Sequence, residues 1–260
     1  MRRLVQKSLW LVTWLLWLVS QEIAGAQADS AEPKDQGSSA PKTESGIIEG
    51  IIIFEGEVPK SSLADDAGVR HPLLEVDPTT QGVRYVAAFL VAGKPAGGTN
   101  EHKRSPSQEQ LVVDQQNYNF VPHLIAIHSG EIVAFKNSDV ANHNVRTTSS
   151  QPANEFNVYT SSDSAYRHRF VADSKQRPIR LGCDLHPWMT GWIYVLDHSN
   201  FAVSDSEGKF RITSVLPGKY QLHLQQPDVG WRKEQTITVA PKITNRVEIR
   251  IRLGRGFSPQ

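Results

Sequence analysis

The sequence predicts an all-β protein. Three observations carry this. Many short runs are rich in β-branched and aromatic residues, turn-forming residues recur between them, and beyond residue 26 no long segment has a 3.6-residue apolar period. Short strands with regular turns pack best as a sandwich or barrel. Of 260 residues, 39% are hydrophobic and 21% charged, which suits one or two packed cores and excludes a disordered chain. Lys plus Arg number 28 against 27 Asp plus Glu, so no basic surface for nucleic acid is expected.

Taken in order, residues 1–26 read as a secretory signal peptide. Arg2, Arg3 and Lys7 form a basic start, residues 9–19 an apolar run, and Ala24, Gly25, Ala26 and Ala28 a small-residue cleavage region. The run is well short of the ~20 residues of a membrane-spanning helix. The mature chain is therefore expected to be periplasmic or secreted and not to span a membrane. Cleavage would turn the net charge of +1 into −1, too little to imply an electrostatic partner. Residues 27–45 hold no aromatic, Leu, Ile or Val and read as a disordered linker.

A β-rich lead-in, residues 46–93, opens with GIIEGIIIFEGEVP and has a second strand candidate at residues 83–91. Residues 94–110 are polar, with Pro and Gly, and read as a gap. From residue 111 strand candidates come quickly: LVVDQ, HLIAIH, EIVAFKN, HNVRT, the stretch around Phe156, RHRFVA, PIRLGC and GWIYVLD. Ser129-Gly130, Ser138-Asp139 and Gln151-Pro152 mark turns between them. After Phe201 a hairpin turn is expected at residues 205–208 and another turn at Leu216-Pro217-Gly218. Phe210, Ile212, Tyr220, Leu222 and Leu224 share one face there. Val247, Ile249, Ile251 and Leu253 alternate with charged residues in the last strand. Together these read as a half-buried antiparallel sheet.

Chemistry converges on Cys183-Asp-Leu-His186-Pro-Trp-Met189, with His143 upstream in Asn142-His143-Asn144-Val145. The three downstream residues sit on one tight loop between PIRLG and GWIYVLD. A strand would send alternate side chains to opposite faces, whereas a loop at the end of a sandwich can turn all three inward. Cys183 is the only cysteine, and in an oxidising compartment a lone thiol must be buried, bonded to another chain or held by a metal. One thiolate, two imidazoles and a weak axial thioether form a blue-copper donor set, while structural zinc wants four strong N or S donors.

These residues carry a resemblance. Residues 111–198 resemble a cupredoxin of the short-loop amicyanin or plastocyanin-like type, whose ligand loop reads C-x2-H-x2-M. Tyr118-Asn-Phe-Val-Pro-His-Leu, Gly130-Glu-Ile-Val-Ala-Phe-Lys-Asn and His143-Asn144-Val145 match its earlier run. The resemblance implies a Greek-key β-sandwich binding one type 1 copper per chain. His143, Cys183 and His186 would be equatorial ligands and Met189 the axial one. Asn144 would tie the two ligand loops together. Residues 201–253 resemble a carboxypeptidase regulatory-like, transthyretin-like β-sandwich. The expected fold is thus a cupredoxin sandwich plus a second small sandwich. The lead-in is either independent or supplies the first strands of that second sandwich, with the cupredoxin inserted; its opening run favours insertion. The whole arrangement is similar to exported bacterial proteins labelled methylamine-utilisation or plastocyanin-like. No residue here supports a role in methylamine metabolism.

The function implied is outer-sphere electron transfer with a redox protein partner. His186 would be the electron port, and Pro187 and Trp188 an apolar patch where that partner docks. No group for bond breaking is required, so an enzyme is not expected. A multicopper oxidase or nitrite reductase would need further histidines, and the His-x-His pairs and the histidine beside Cys183 that they use are missing. A periplasmic copper carrier or buffer would use the same ligands. A cell-surface binding or structural β protein with a copper-stabilised domain is the third possibility. His123 and His128 flank one strand and read as surface or edge residues, and His198 as a turn residue. His71, His102, His168 and His223 have no partner at metal spacing, and Asp184 reads as a polar loop residue.

Overall fold

The structure, a computed structural model, describes residues 44–91 and 110–254. The signal-peptide reading and nearly all of the linker and polar-gap readings, with His102, lie outside these residues. Among the described residues the elements are strands and two single-turn 3-10 helices, and no helix is long and apolar enough to cross a membrane.

Two strands come first, β1 (Gly46–Phe54) and β2 (Ala87–Val91). The middle of the chain holds β3 (Leu111–Gln116), β4 (Asn119–Val121), β5 (Leu124–His128), β6 (Ile132–Asn137), β7 (His143–Thr148), β8 (Asn157–Thr160), β9 (Ala165–Arg169), β10 (Ile179–Gly182) and β11 (Thr190–Leu196). The last five are β12 (Phe201–Val203), β13 (Lys209–Val215), β14 (Gly218–Gln226), β15 (Trp231–Val239) and β16 (Thr244–Ile251).

Strands β3 to β11 form a sandwich of two sheets, ordered β4-β3-β6-β9 and β5-β11-β10-β7-β8. β3 runs parallel to β6 and β5 parallel to β11; the other pairs are antiparallel. Period-2 alternation turns Val113, Phe135, Leu181 and Ile193 into one core with Phe120 and Phe170. Burying each of these side chains contributes roughly 1.5–3 kcal/mol. Cys183 and Met189 belong to the same cluster, so the candidate ligand loop closes one end of this core.

The remaining strands form a second pair of sheets, β13-β1-β16 and β12-β2-β14-β15. β1 lies between β13 and β16, and β2 between β12 and β14. Residues 46–91 therefore share both sheets with residues 201–251, and the middle of the chain leaves and rejoins this sandwich. Its core gathers Ile48, Ile52, Phe210, Ile212, Leu222 and Ile249. β2 is apolar throughout because both its faces are covered. Ala88 and Leu90 face that core, while Ala87 and Phe89 pack with Leu124, Tyr194 and Leu196 of the other sandwich.

Three sequence expectations are corrected. The last strand was expected in an antiparallel sheet, but β16 pairs in parallel with β1, because the chain returns across the sandwich before adding it. The turn at residues 205–208 forms, with Gly208 N–H donating to the Asp205 carbonyl, yet it joins β12 and β13 of different sheets and not a hairpin. Gly208 has φ +78°, and a Cβ there would lie 2.3 Å from the Ile52 carbonyl oxygen, so this crossing requires glycine. The strand expected over residues 83–91 begins only at Ala87, because Tyr85 sits at φ +63°, outside the β region.

His123 is also corrected from a surface or edge residue to a joint between the sandwiches. Its Nε2 lies 2.9 Å from the Asp228 carboxylate, which is 6% exposed on the 3-10 turn Pro227–Val229. Trp192 Nε1 donates to the same carboxylate at 2.8 Å and Gln226 Nε2 at 2.9 Å. Period alone places a histidine on a face; it cannot see a carboxylate arriving from another sandwich.

Candidate metal centre

His143 opens β7, and Cys183 and His186 lie on the loop after β10. This loop is tight: Met189 N–H donates to the His186 carbonyl at 2.9 Å, and Cys183 N–H to the Met189 carbonyl at 3.4 Å. The geometry brings three donor atoms to one point. Nδ1 of His143 is 2.9 Å from Nδ1 of His186, and Sγ of Cys183 is 3.9 Å and 3.7 Å from them. A triangle with these sides has its centre about 2 Å from every corner, the length of a metal–nitrogen or metal–sulfur bond (roughly 2.0–2.3 Å). The donor set therefore fits a metal ion. It is the only such cluster of His, Cys and carboxylate groups among the described residues.

The ring of His143 is wholly buried and its protons are assigned by its partner. Nε2 sits 2.9 Å from Asp139 Oδ2, and a carboxylate can only accept, so Nε2 carries the hydrogen and Nδ1 keeps its lone pair. Asp139 also accepts from the N–H groups of Asn117, at 2.6 Å, and Tyr118, at 2.9 Å. Burial would raise the Asp139 pKa, but the Tyr118 N–H, the His143 imidazole and the Asn117 N–H hold it below the ordinary carboxylate value. Asn137, itself buried, sets the loop between β6 and β7. Its side chain donates to the Ala141 and Thr160 carbonyls and accepts from the Asp139 N–H. Sequence reasoning treated residues 138–139 as turn punctuation and missed both supports. The signal available was an aspartate four residues before a candidate ligand.

Asn144 joins the segments that carry His143 and Cys183. Its Oδ1 accepts from the Asp184 N–H at 2.7 Å and lies 3.3 Å from Cys183 Sγ, while its own N–H points at that sulfur at 3.5 Å. Asp184 is more than a polar loop residue. It accepts from the side chains of Asn144 and Asn157 and pairs with Arg146 at 2.8 Å, fastening the loop to β7 and β8.

Met189 is buried beside Cys183, His186 is half-buried, Pro187 is exposed and Trp188 half-buried. Burial first, and then the neighbouring His143 imidazole, lower the His186 pKa, favouring the neutral form that a metal needs. Tyr118 stands edge-on to both imidazoles, 5.4 Å from His143 and 4.9 Å from His186. It occupies a left-handed position, φ +58°, in the two-residue turn joining β3 to β4, which the Asp139 carboxylate holds from below. Sequence reasoning did not single out Tyr118 as part of the site.

The other histidines stand apart. His128 binds the Ser129 carbonyl, His198 accepts from the Asn200 N–H, His71 pairs with Asp65, His168 binds the Ala153 carbonyl, and His223 packs on Phe89.

No protein-family model matches this chain, and no curated protein does. Among solved structures, the copper-containing nitrite reductase of Thermus scotoductus SA-01 is 22% identical over 40% of this chain and 25% of its own, with a TM-score of 0.31. The match thus spans a quarter of that enzyme. Amicyanin from Paracoccus versutus is 22% identical over 42% of this chain and 97% of its own, with a TM-score of 0.29. A purple cupredoxin from Nitrosopumilus maritimus is 18% identical over 34% of this chain and all of its own, also with a TM-score of 0.29.

Proposed function

We propose that this chain is an exported type 1 copper protein that transfers electrons to or from a redox protein. The observation that carries the reading is the triangle of two imidazole nitrogens and one thiol sulfur around a single point. Met189, buried in the same core, would supply a fourth, weaker thioether donor. When bound, one copper per chain supplies a one-electron couple between Cu(II) and Cu(I). The chain's own residues do the rest. Asp139, Asn137 and Asn144 hold the donors on hydrogen bonds, so the ligand set stays in place between the two oxidation states. N–H donation from Asn144 and the thioether of Met189 tune the potential. His186, the half-buried ligand, offers the edge through which an electron enters or leaves.

Export follows from residues 1–26 as a leader, and the second sandwich is read as a carboxypeptidase regulatory-like, transthyretin-like scaffold. No proton-transfer step is assigned to any residue, and none is needed for outer-sphere chemistry.

The test is retention of metal during turnover. The copper-loaded protein is cycled through reduction by ascorbate and reoxidation while a Cu(I) chelator is present in excess. An electron carrier is expected to keep one copper per chain over repeated cycles. Stoichiometric loss to the chelator within the first reduced interval would contradict the reading and leave a copper carrier instead.

A further inference from the structure

Tyr118 and Trp188, whose rings pack against His186, form one wall of a cleft beside the metal centre, and its other wall belongs to the segment between β1 and β2. Asp65, Asp66, Ala67 and His71 of that segment face Tyr118 and Trp188 across a cavity of about 320 Å³. A second cavity, about 470 Å³, extends it past Leu63 and Val121 to His123 and Asp228. Leu63 is 45% and Val121 42% exposed, so the floor is partly apolar.

Charge along the cleft is uneven. Asp65 pairs with His71, Glu75 with Arg84, and Asp228 with His123. Asp66 alone among the described carboxylates lining the cleft has no such partner. It lies close enough for its charge to bear on His186. Opposite it the rings of Tyr118 and Trp188 stand 6.4 Å apart, inclined by 30°, and Trp188 is 5.3 Å from His186. A free carboxylate facing two aromatic rings is complementary to a cation on an apolar stem, through an ion pair and cation–π attraction.

Resting on the electron-transfer reading, we propose that this cleft is the docking site for the redox partner and that it receives a projecting lysine or arginine side chain between Asp66 and the rings of Tyr118 and Trp188. Seated there, the side chain brings the partner against the rings of Tyr118 and Trp188, which pack on His186. The recess between this segment and the two rings receives a projecting side chain and not a flat surface. The surface thus selects by shape as well as by charge.

The experiment uses the full, copper-loaded protein in its reduced form, mixed in stopped flow with tris(1,10-phenanthroline)cobalt(III), an apolar cation, or with ferricyanide, an anion. Colour and copper content are recorded first. At low ionic strength Asp66→Lys is expected to slow oxidation by the cobalt complex about tenfold and to speed oxidation by ferricyanide. Asp66→Asn is expected to give a smaller change of the same signs. Glu234→Gln, the same loss of charge at an exposed site on β15, should alter neither rate. Unchanged rates in both Asp66 variants, or an equal change in Glu234→Gln, would overturn the proposal. A wild-type protein that takes up no copper would instead overturn the electron-transfer reading beneath it.

Discussion

Asp228→Ala is expected to lower the unfolding free energy by about 3–5 kcal/mol, the usual cost of breaking a buried charge pair from one side. The carboxylate is 6% exposed and receives three donors: the His123 imidazole, the Trp192 indole N–H and the Gln226 amide. Alanine would leave all three without their acceptor, at a position where the carboxylate itself is only 6% exposed. Because His123 and Trp192 belong to one sandwich and Asp228 to the other, the loss should fall on the joint between them. Chemical denaturation should show a lower midpoint. A change below 1 kcal/mol would contradict this account.

The same pair makes a pH signature. Burial opposes the charged form of His123, but the Asp228 charge and hydrogen bond prevail and raise its pKa above 6.5. Burial likewise opposes the Asp228 carboxylate, and the His123 charge, with its hydrogen bonds, depresses the pKa below 3.8. The histidine contribution is complete below 6.5 and is lost as pH rises through the raised value in the folded protein. The aspartate contribution is present above 3.8 and is lost as pH falls through the depressed folded value. The stability difference between wild type and Asp228→Asn is therefore expected to be largest between those limits and to shrink on the alkaline side. A difference independent of pH would mean that the pair carries no charge.

Asp139→Ala is expected to weaken copper binding by 10- to 100-fold, or about 1.4–2.8 kcal/mol, the range for losing the group that orients a ligating histidine. Without the carboxylate, the His143 ring is free to turn and to carry its hydrogen on Nδ1, where the lone pair is required. The turn bearing Tyr118 loses its anchor as well, because the N–H groups of Asn117 and Tyr118 both end on this carboxylate. Asp139→Asn should fall between wild type and alanine, since the amide oxygen can still accept one hydrogen bond. Competition against a chelator of known affinity measures all three proteins. Equal affinities would show that the Asp139 bond does not orient the ligand.

The sequence exposes what is local. The convergence of Cys183 and His186 is legible because donors at a spacing of three between two strand candidates must lie on one loop, and His143 stands out because few other histidines open a strand candidate. Strand content is legible from the period of 2 in runs such as EIVAFKN and KYQLHL. What escapes is pairing over long separations. The joint of His123 with Asp228 joins residues 105 apart in the chain, and each alone reads as an ordinary polar residue. The parallel pairing of β1 with β16 is hidden for the same reason, since alternation fixes a strand's faces but not its neighbour or direction. Asp139 and Tyr118 were close to recognised motifs yet unread. A turn residue's side-chain target depends on how the chain leaves the turn.

The central claim is that the three converging donors make a blue copper site, and an optical spectrum with copper analysis tests it most directly. The purified protein is loaded with Cu(II) beside a Cys183→Ser variant. One copper per chain and an intense thiolate-to-copper band toward the red, lost in the variant, are the expected result. A wild-type protein that stays colourless and resists loading, or a band unchanged by Cys183→Ser, would contradict it.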